Sequence, residues 1–129
     1  SRARAAALRR AAPGATAQVR LRSNVRWSAA RWLIAEWAGS DDDGARRVVA
    51  STRAALERAA ESDNRSERVA ARKALALAAL DEALAARDDG AAESAVEALR
   101  AIEPGLVGTI ERHAPPGAGA AHVARFYPY

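Results

Sequence analysis

The sequence predicts an all-α fold, a four-helix up-down bundle spanning residues 15–113. A basic arm (1–14) precedes it and a flexible Pro/Gly-rich tail (114–129) follows it. Three observations carry this. Apolar residues recur at helical spacing in four successive segments and alternate nowhere as a strand would require. Of the 129 residues, 37 are Ala, the strongest helix former. Short polar or Gly-containing turns separate the segments, and short turns leave consecutive helices antiparallel.

Each element follows from local signals. Pro13-Gly14 closes the arm. The first helix is expected from about Thr16 to Ala38 with the stripe Leu21, Val25, Ala29, Trp32, Leu33 and Trp37. Gly39 is expected as its left-handed terminator. Asp41, Asp42 and Asp43 supply an N-cap and a negative first turn for the second helix. That helix is expected over about Asp43 to Ser62, with Ala45, Val48, Val49, Thr52, Leu56 and Ala59 inward. Ser66 or Asp63 is placed to cap the third helix, about Glu67 to Arg87, whose stripe is Val69, Ala70, Ala76, Leu77, Leu80 and Leu84. After Asp88-Asp89-Gly90 the fourth helix carries Ala92, Ala95, Val96, Leu99 and Ile102. Pro104-Gly105 then breaks or kinks it, and Leu106, Val107 and Ile110 continue the apolar face to about Arg112. The stretch His113-Ala114-Pro115-Pro116-Gly117 opens the tail.

Charge is distributed unevenly. The first thirty-five residues hold eight arginines (Arg2, Arg4, Arg9, Arg10, Arg20, Arg22, Arg26, Arg31) and no acid, whereas residues 36–129 carry 12 basic against 16 acidic side chains. A +8 segment joined to a −4 body predicts docking onto something negative. The expected partner is a larger protein complex with an acidic face, and the chain would be peripheral to a membrane at most. Nucleic acid is the second reading: the charge suits it, but no aromatic interleaving or binding motif accompanies the arginines, and the acidic body would repel a long polyanion. A stand-alone helical interaction protein is the third. The acid-free opening RARAAALRRAAPGATA reads either as the remnant of an organelle or twin-arginine targeting segment or as a disordered basic arm. The chain also lacks Met, which predicts processing or excision from a longer one.

The residues predict no catalytic, cofactor-binding or metal-binding set, and hence no enzyme. There is no Cys. Asp41-x-Asp43 is followed by Ala45 where an EF-hand loop needs a third ligand, so capping and solvation account for these acids, as they do for Asp81-Glu82 and Asp88-Asp89. The two histidines, His113 and His122, lie in or beside the tail with no motif partner, and no Glu-x-x-His occurs. Trp27, Trp32 and Trp37 step by five, rotating about 500° each time, so they cannot share one face. Trp32, next to Leu33, is expected in the core. Trp27 or Trp37 is expected at its boundary as an interface anchor. The expected docking residues are therefore the eight arginines with Trp27 and Trp37. Arg22 and Arg26, four apart, share a helical face, while Arg20 and Arg31 lie on another.

Three stretches resemble known families. Trp37-Ala38-Gly39 spells the W-x-G of the type VII secretion hairpin proteins, but those have two long helices where this chain reads as four. Val19-Arg20-Leu21-Arg22-Ser23-Asn24-Val25-Arg26-Trp27 resembles the first bundle helix of the PsbQ family, extrinsic lumenal proteins of photosystem II. Leu80-Asp81-Glu82-Ala83-Leu84 followed by Asp88-Asp89-Gly90-Ala91-Ala92 resembles that family's third helix end and the turn after it. The aromatic residues common in the family's last helix are missing from Ala91 to Arg112. The PsbQ resemblance implies a non-catalytic subunit in the thylakoid lumen. Its basic arm and Arg-bearing face would lie against the photosystem and support oxygen evolution.

Overall fold

A computed structural model describes the backbone from residue 15 and the side chains from residue 26 to the C-terminus. The described residues are all-α. They form α1 (Ala15–Trp37), α2 (Asp43–Ala59), α3 (Arg65–Ala85), α4 (Asp89–Ile102), α5 (Pro104–Arg112) and α6 (Gly119–Phe126), with no strand among them. None of the helices is long and apolar enough to cross a membrane. The chain divides into two compact units, one reaching Leu75 and the other Ala76–Tyr129, so α3 gives its first half to one and its second half to the other.

In the first unit α1 packs on α2. The buried side chains are Trp27, Ala30 and Ile34 from α1, Val49, Leu56 and Ala59 from α2, Ala60 after it, and Ala70, Ala71 and Ala74 from α3. Leu56, Ala59 and Val49 were expected inward, but Val48 is 40% exposed. The α1 stripe differs more. Trp27 is 3% exposed and Trp32 is 52% exposed, so the core and boundary tryptophans exchange roles. The cause is that α1 carries apolar residues on two faces, and only one of them meets α2. Arg31 comes inward with that face and is 1% exposed, its guanidinium carbon 4.4 Å from the Trp32 ring centroid.

Capping explains the helix boundaries. Asp42 accepts the Ala45 N–H at 2.8 Å to open α2. The cap of α3 is Asn64 rather than Ser66 or Asp63. Asn64 Oδ1 accepts the Glu67 N–H at 3.0 Å, the Asn64 N–H donates to Ser62 Oγ at 3.1 Å, and Ser62 Oγ donates to Glu67 Oε2 at 3.0 Å. This is a capping box extended by one serine. Arg68 and Arg72 of α3 donate back to the carbonyls of Ser62 (2.8 Å) and Ala60 (3.0 Å), satisfying groups past the end of α2. Gly39 is not in the left-handed region, and α1 ends with the Ser40 N–H on the Trp37 carbonyl at 3.1 Å. The left-handed terminator is Arg87, φ 56°, after α3. There the Asp88 N–H bonds the Ala83 carbonyl and the Arg87 N–H bonds the Leu84 carbonyl, the two bonds of a Schellman motif. Asp88 then caps α4 through the Ala91 N–H.

The second unit has one core. Ala76, Leu77, Leu80 and Ala83 of α3 meet Ala92, Ala95, Val96 and Leu99 of α4, Val107 and Ile110 of α5, Val123 of α6, and Tyr127. Pro104 breaks the chain as expected and starts α5 at the position where its missing N–H costs nothing. The expectation of a flexible tail over 114–129 is corrected. Gly117 (φ 81°) and Gly119 (φ 56°) take left-handed turns and α6 comes next, with Val123 at 1% and Tyr127 at 4% exposure. The Pro/Gly run marks a turn, and the i, i+4 pair Val123–Tyr127 anchors the final helix in the core. The Tyr127 hydroxyl donates to Glu103 Oε1, and burial first, then this bond, raises the tyrosine pKa. Arg100 of α4 grips Glu111 of α5 with both terminal nitrogens and reaches Glu97 through Nε at 3.2 Å. The Arg100 hydrogen bond holds the Glu111 carboxyl below the usual range.

Candidate functional site

The first unit carries a surface cleft of about 330 Å³ between α1, the end of α2 and the start of α3, lined by Arg26, Trp27, Ala55, Arg58, Ala59, Ser62 and Glu67. Each wall follows from the local sequence. Ala55 and Ala59 are small, so α2 leaves room beside the indole of Trp27. Arg58 stands in the last turn of α2, where a cation suits the helix dipole. Ser62 and Glu67 are fixed by the capping network of the α2–α3 turn.

The electrostatics are unbalanced. Two guanidinium groups, Arg26 and Arg58, face one carboxylate, Glu67. The Arg26–Glu67 pair is loose, 3.9 Å with 66% of the Arg26 side chain exposed, which screening reduces to a small interaction. Arg26 also lies over the Trp27 ring, its guanidinium carbon 4.3 Å from the centroid, and so roofs the buried indole. The Trp27 Nε1 is buried and meets no acceptor among the described residues. A buried donor left unpaired costs about 1–3 kcal/mol. The cleft is thus net cationic, with two guanidiniums to one carboxylate, a chemistry that takes carboxylates.

The sequence-predicted docking residues are placed unequally. Arg2, Arg4, Arg9 and Arg10 lie outside the described residues. Arg20 and Arg22 lie on α1, ahead of the described side chains. Arg26 is exposed at the cleft. Arg31 is buried, which removes it from a docking surface. Trp27 lines the cleft from beneath, and Trp37 is half-buried. Sequence reasoning missed Arg58, Ser62 and Glu67. The signal was Asn64-x-x-Glu67 with Ser62 before it, a capping box that fixes the turn, although the cleft itself depends on how α1 seats.

Among the described residues no group of three His, Asp or Glu side chains is placed to hold a metal ion. His113 Nδ1 lies 2.8 Å from the Thr109 carbonyl oxygen, and the His122 ring lies tilted against Phe126 with the ring centroids 4.5 Å apart. No protein-family model, curated protein or solved structure matches the chain.

Proposed function

We propose that this chain is a non-enzymatic accessory subunit that docks by a basic surface onto an acidic face of a larger protein assembly. The observation that supports it is the cleft, where Arg26 and Arg58 stand against a single carboxylate, Glu67, over the buried Trp27. The same helix continues the acid-free, Arg-rich opening of the chain. A carboxylate from the partner pairs with the two guanidiniums of the cleft, which bind carboxylates in a planar fork. The net-acidic remainder of the chain disfavours a long polyanion and makes nucleic acid the second reading. The PsbQ resemblance names one assembly of the proposed kind, photosystem II, with the thylakoid lumen as the place. In that reading the four longest helices run up and down in turn.

The test is capture by immobilised acidic peptide beside random-sequence DNA, over a salt series. The expected result is retention on the peptide that falls as salt rises, since exposed charges are screened beyond about 8 Å at physiological ionic strength. Reversing Arg22 and Arg26 together to Glu should abolish it while the circular dichroism stays helical. Equal binding by the folded double variant refutes the basic-surface reading, and retention on DNA alone favours the second.

A further inference from the structure

Among the described residues nothing covers the outer face of α1 from Arg26 to Glu36, and the sequence of that face is complementary to itself. Trp32 is 52% exposed, and Arg26, Ala29 and Glu36 are exposed beside it, with Leu33 half-buried. By helical register Arg22 and Val25 belong to the same face. Read along it, the positions are Arg22, Val25, Arg26, Ala29, Trp32, Leu33 and Glu36, with steps of three, one, three, three, one and three. That spacing reads the same in both directions about Ala29.

The residues that mirror one another across Ala29 are chemical partners. Arg22 mirrors Glu36, a cation against a carboxylate. Val25 mirrors Leu33, apolar against apolar. Arg26 mirrors Trp32, a guanidinium against an exposed aromatic face. Ala29, the smallest, stands at the centre, where two helices crossing closely need a small side chain. The steps of three and four are those of an antiparallel helix seam.

The charges along α1 point the same way. α1 has no acid in its first turn and no base in its last, and Glu36 instead sits next to its end. The exposed acids Asp41, Asp42 and Asp43 come just after it. Glu36 opposes the dipole of α1 and so does not serve its own helix, whereas Asp42 and Asp43 serve the N-terminus of α2. Laid antiparallel against a second copy, the basic end of each α1 meets the acidic end of the other.

We propose that the chain forms a symmetric homodimer through this face of α1, two antiparallel copies crossing at Ala29. The interface is isologous, so each heterotypic contact occurs twice. It is separable from the docking proposed above: Arg22 and Arg26 are shared, but Trp32, Ala29 and Glu36 do not line the cleft.

The experiment is sedimentation equilibrium of the full chain at low salt, with circular dichroism as the check on folding. The wild type should be dimeric, and the dimer should loosen as salt rises. Glu36→Arg should raise the dissociation constant about tenfold or more, because two symmetric pairs turn repulsive. Adding Arg22→Glu to it should restore the wild-type value. Trp32→Ala should weaken the dimer while helicity is kept. Because the chain has no cysteine, Ala29→Cys should give a disulfide-linked dimer on oxidation and Glu36→Cys should not, since the two copies of residue 36 lie at opposite ends. A wild type that stays monomeric at its highest soluble concentration overturns the proposal. So does a Glu36→Arg, Arg22→Glu double variant that folds without regaining the dimer, or a Glu36→Cys variant that crosslinks as readily as Ala29→Cys. Peptide capture by the Glu36→Arg monomer, in which the cleft is intact, separates failure of the dimer from failure of the docking surface.

Discussion

Tyr127→Phe tests whether the last residues belong to the core. Tyr127 is 4% exposed, and its hydroxyl donates to Glu103 at the junction of α4 and α5. Phe keeps the ring and loses only that bond. A hydrogen bond to a charged acceptor contributes about 1.5–3 kcal/mol. Glu103 is half-buried, and water can take the place of the hydroxyl on its carboxylate, so the expected loss lies nearer about 1–2 kcal/mol. With a urea slope of about 1–1.5 kcal/mol/M for a chain of this size, the unfolding midpoint should fall by roughly 1 M. Alkaline titration gives a second readout. Burial raises the Tyr127 pKa above its ordinary 10.0, so the folded state holds this proton more tightly than the unfolded state does. The contribution is complete below pH 10 and is lost as pH rises beyond it, so the wild type should lose stability there more steeply than the Phe variant. A midpoint within about 0.2 M of wild type and an unchanged alkaline profile would refute the placement of Tyr127 in the core, by the same slope.

Two further outcomes concern the helix ends. Arg87→Gly relieves a left-handed residue that costs a side chain about 1 kcal/mol but adds freedom to the unfolded chain, so a net gain of about 0.5 kcal/mol is expected in a thermal melt. Asp42→Ala and Asp88→Ala each remove an N-cap and should cost about 0.5–2 kcal/mol by urea unfolding, acting on α2 and α4 respectively.

The all-α class was legible because helical period and alanine content agree across the segments ahead of the tail. Of the α4 stripe, Ala92, Ala95, Val96 and Leu99 are buried as the spacing predicts, since that helix has a single apolar face, and Ile102 at its end is half-buried. The tail was not legible. Pro115, Pro116 and Gly117 dominate the local signal, and the two residues that anchor α6, Val123 and Tyr127, make a pattern too short to stand out from it. Caps were legible as a set but not one by one: Asp63, Asn64 and Ser66 are all competent, and only the reach of Ser62 to Glu67 selects Asn64. The left-handed position at Arg87 had no letter to announce it. Its helix end is set by the Asp88 cap immediately after it, and the strain is offset by the two Schellman bonds.

The face of α1 shows why period alone cannot choose a core. Leu21, Val25, Ala29 and Trp32 make a stripe as regular as Trp27, Ala30 and Ile34, and the second is the one α2 covers. That choice buries an indole N–H with no acceptor among the described residues, beneath the Arg26 guanidinium. Trp27→Phe separates the two roles. The smaller ring leaves a void, which destabilises, but it also removes an unpaired donor, which returns about 1–3 kcal/mol. The two effects oppose, and the net change in urea unfolding should stay within about 1 kcal/mol, well short of the 3–5 kcal/mol of a Trp→Ala truncation. Affinity for an acidic peptide should fall all the same, because the indole that seats the Arg26 guanidinium at the cleft is lost. Losing stability in full while keeping peptide affinity would mean that the indole is packing alone, and the cleft would then be a surface irregularity roofed by Arg26.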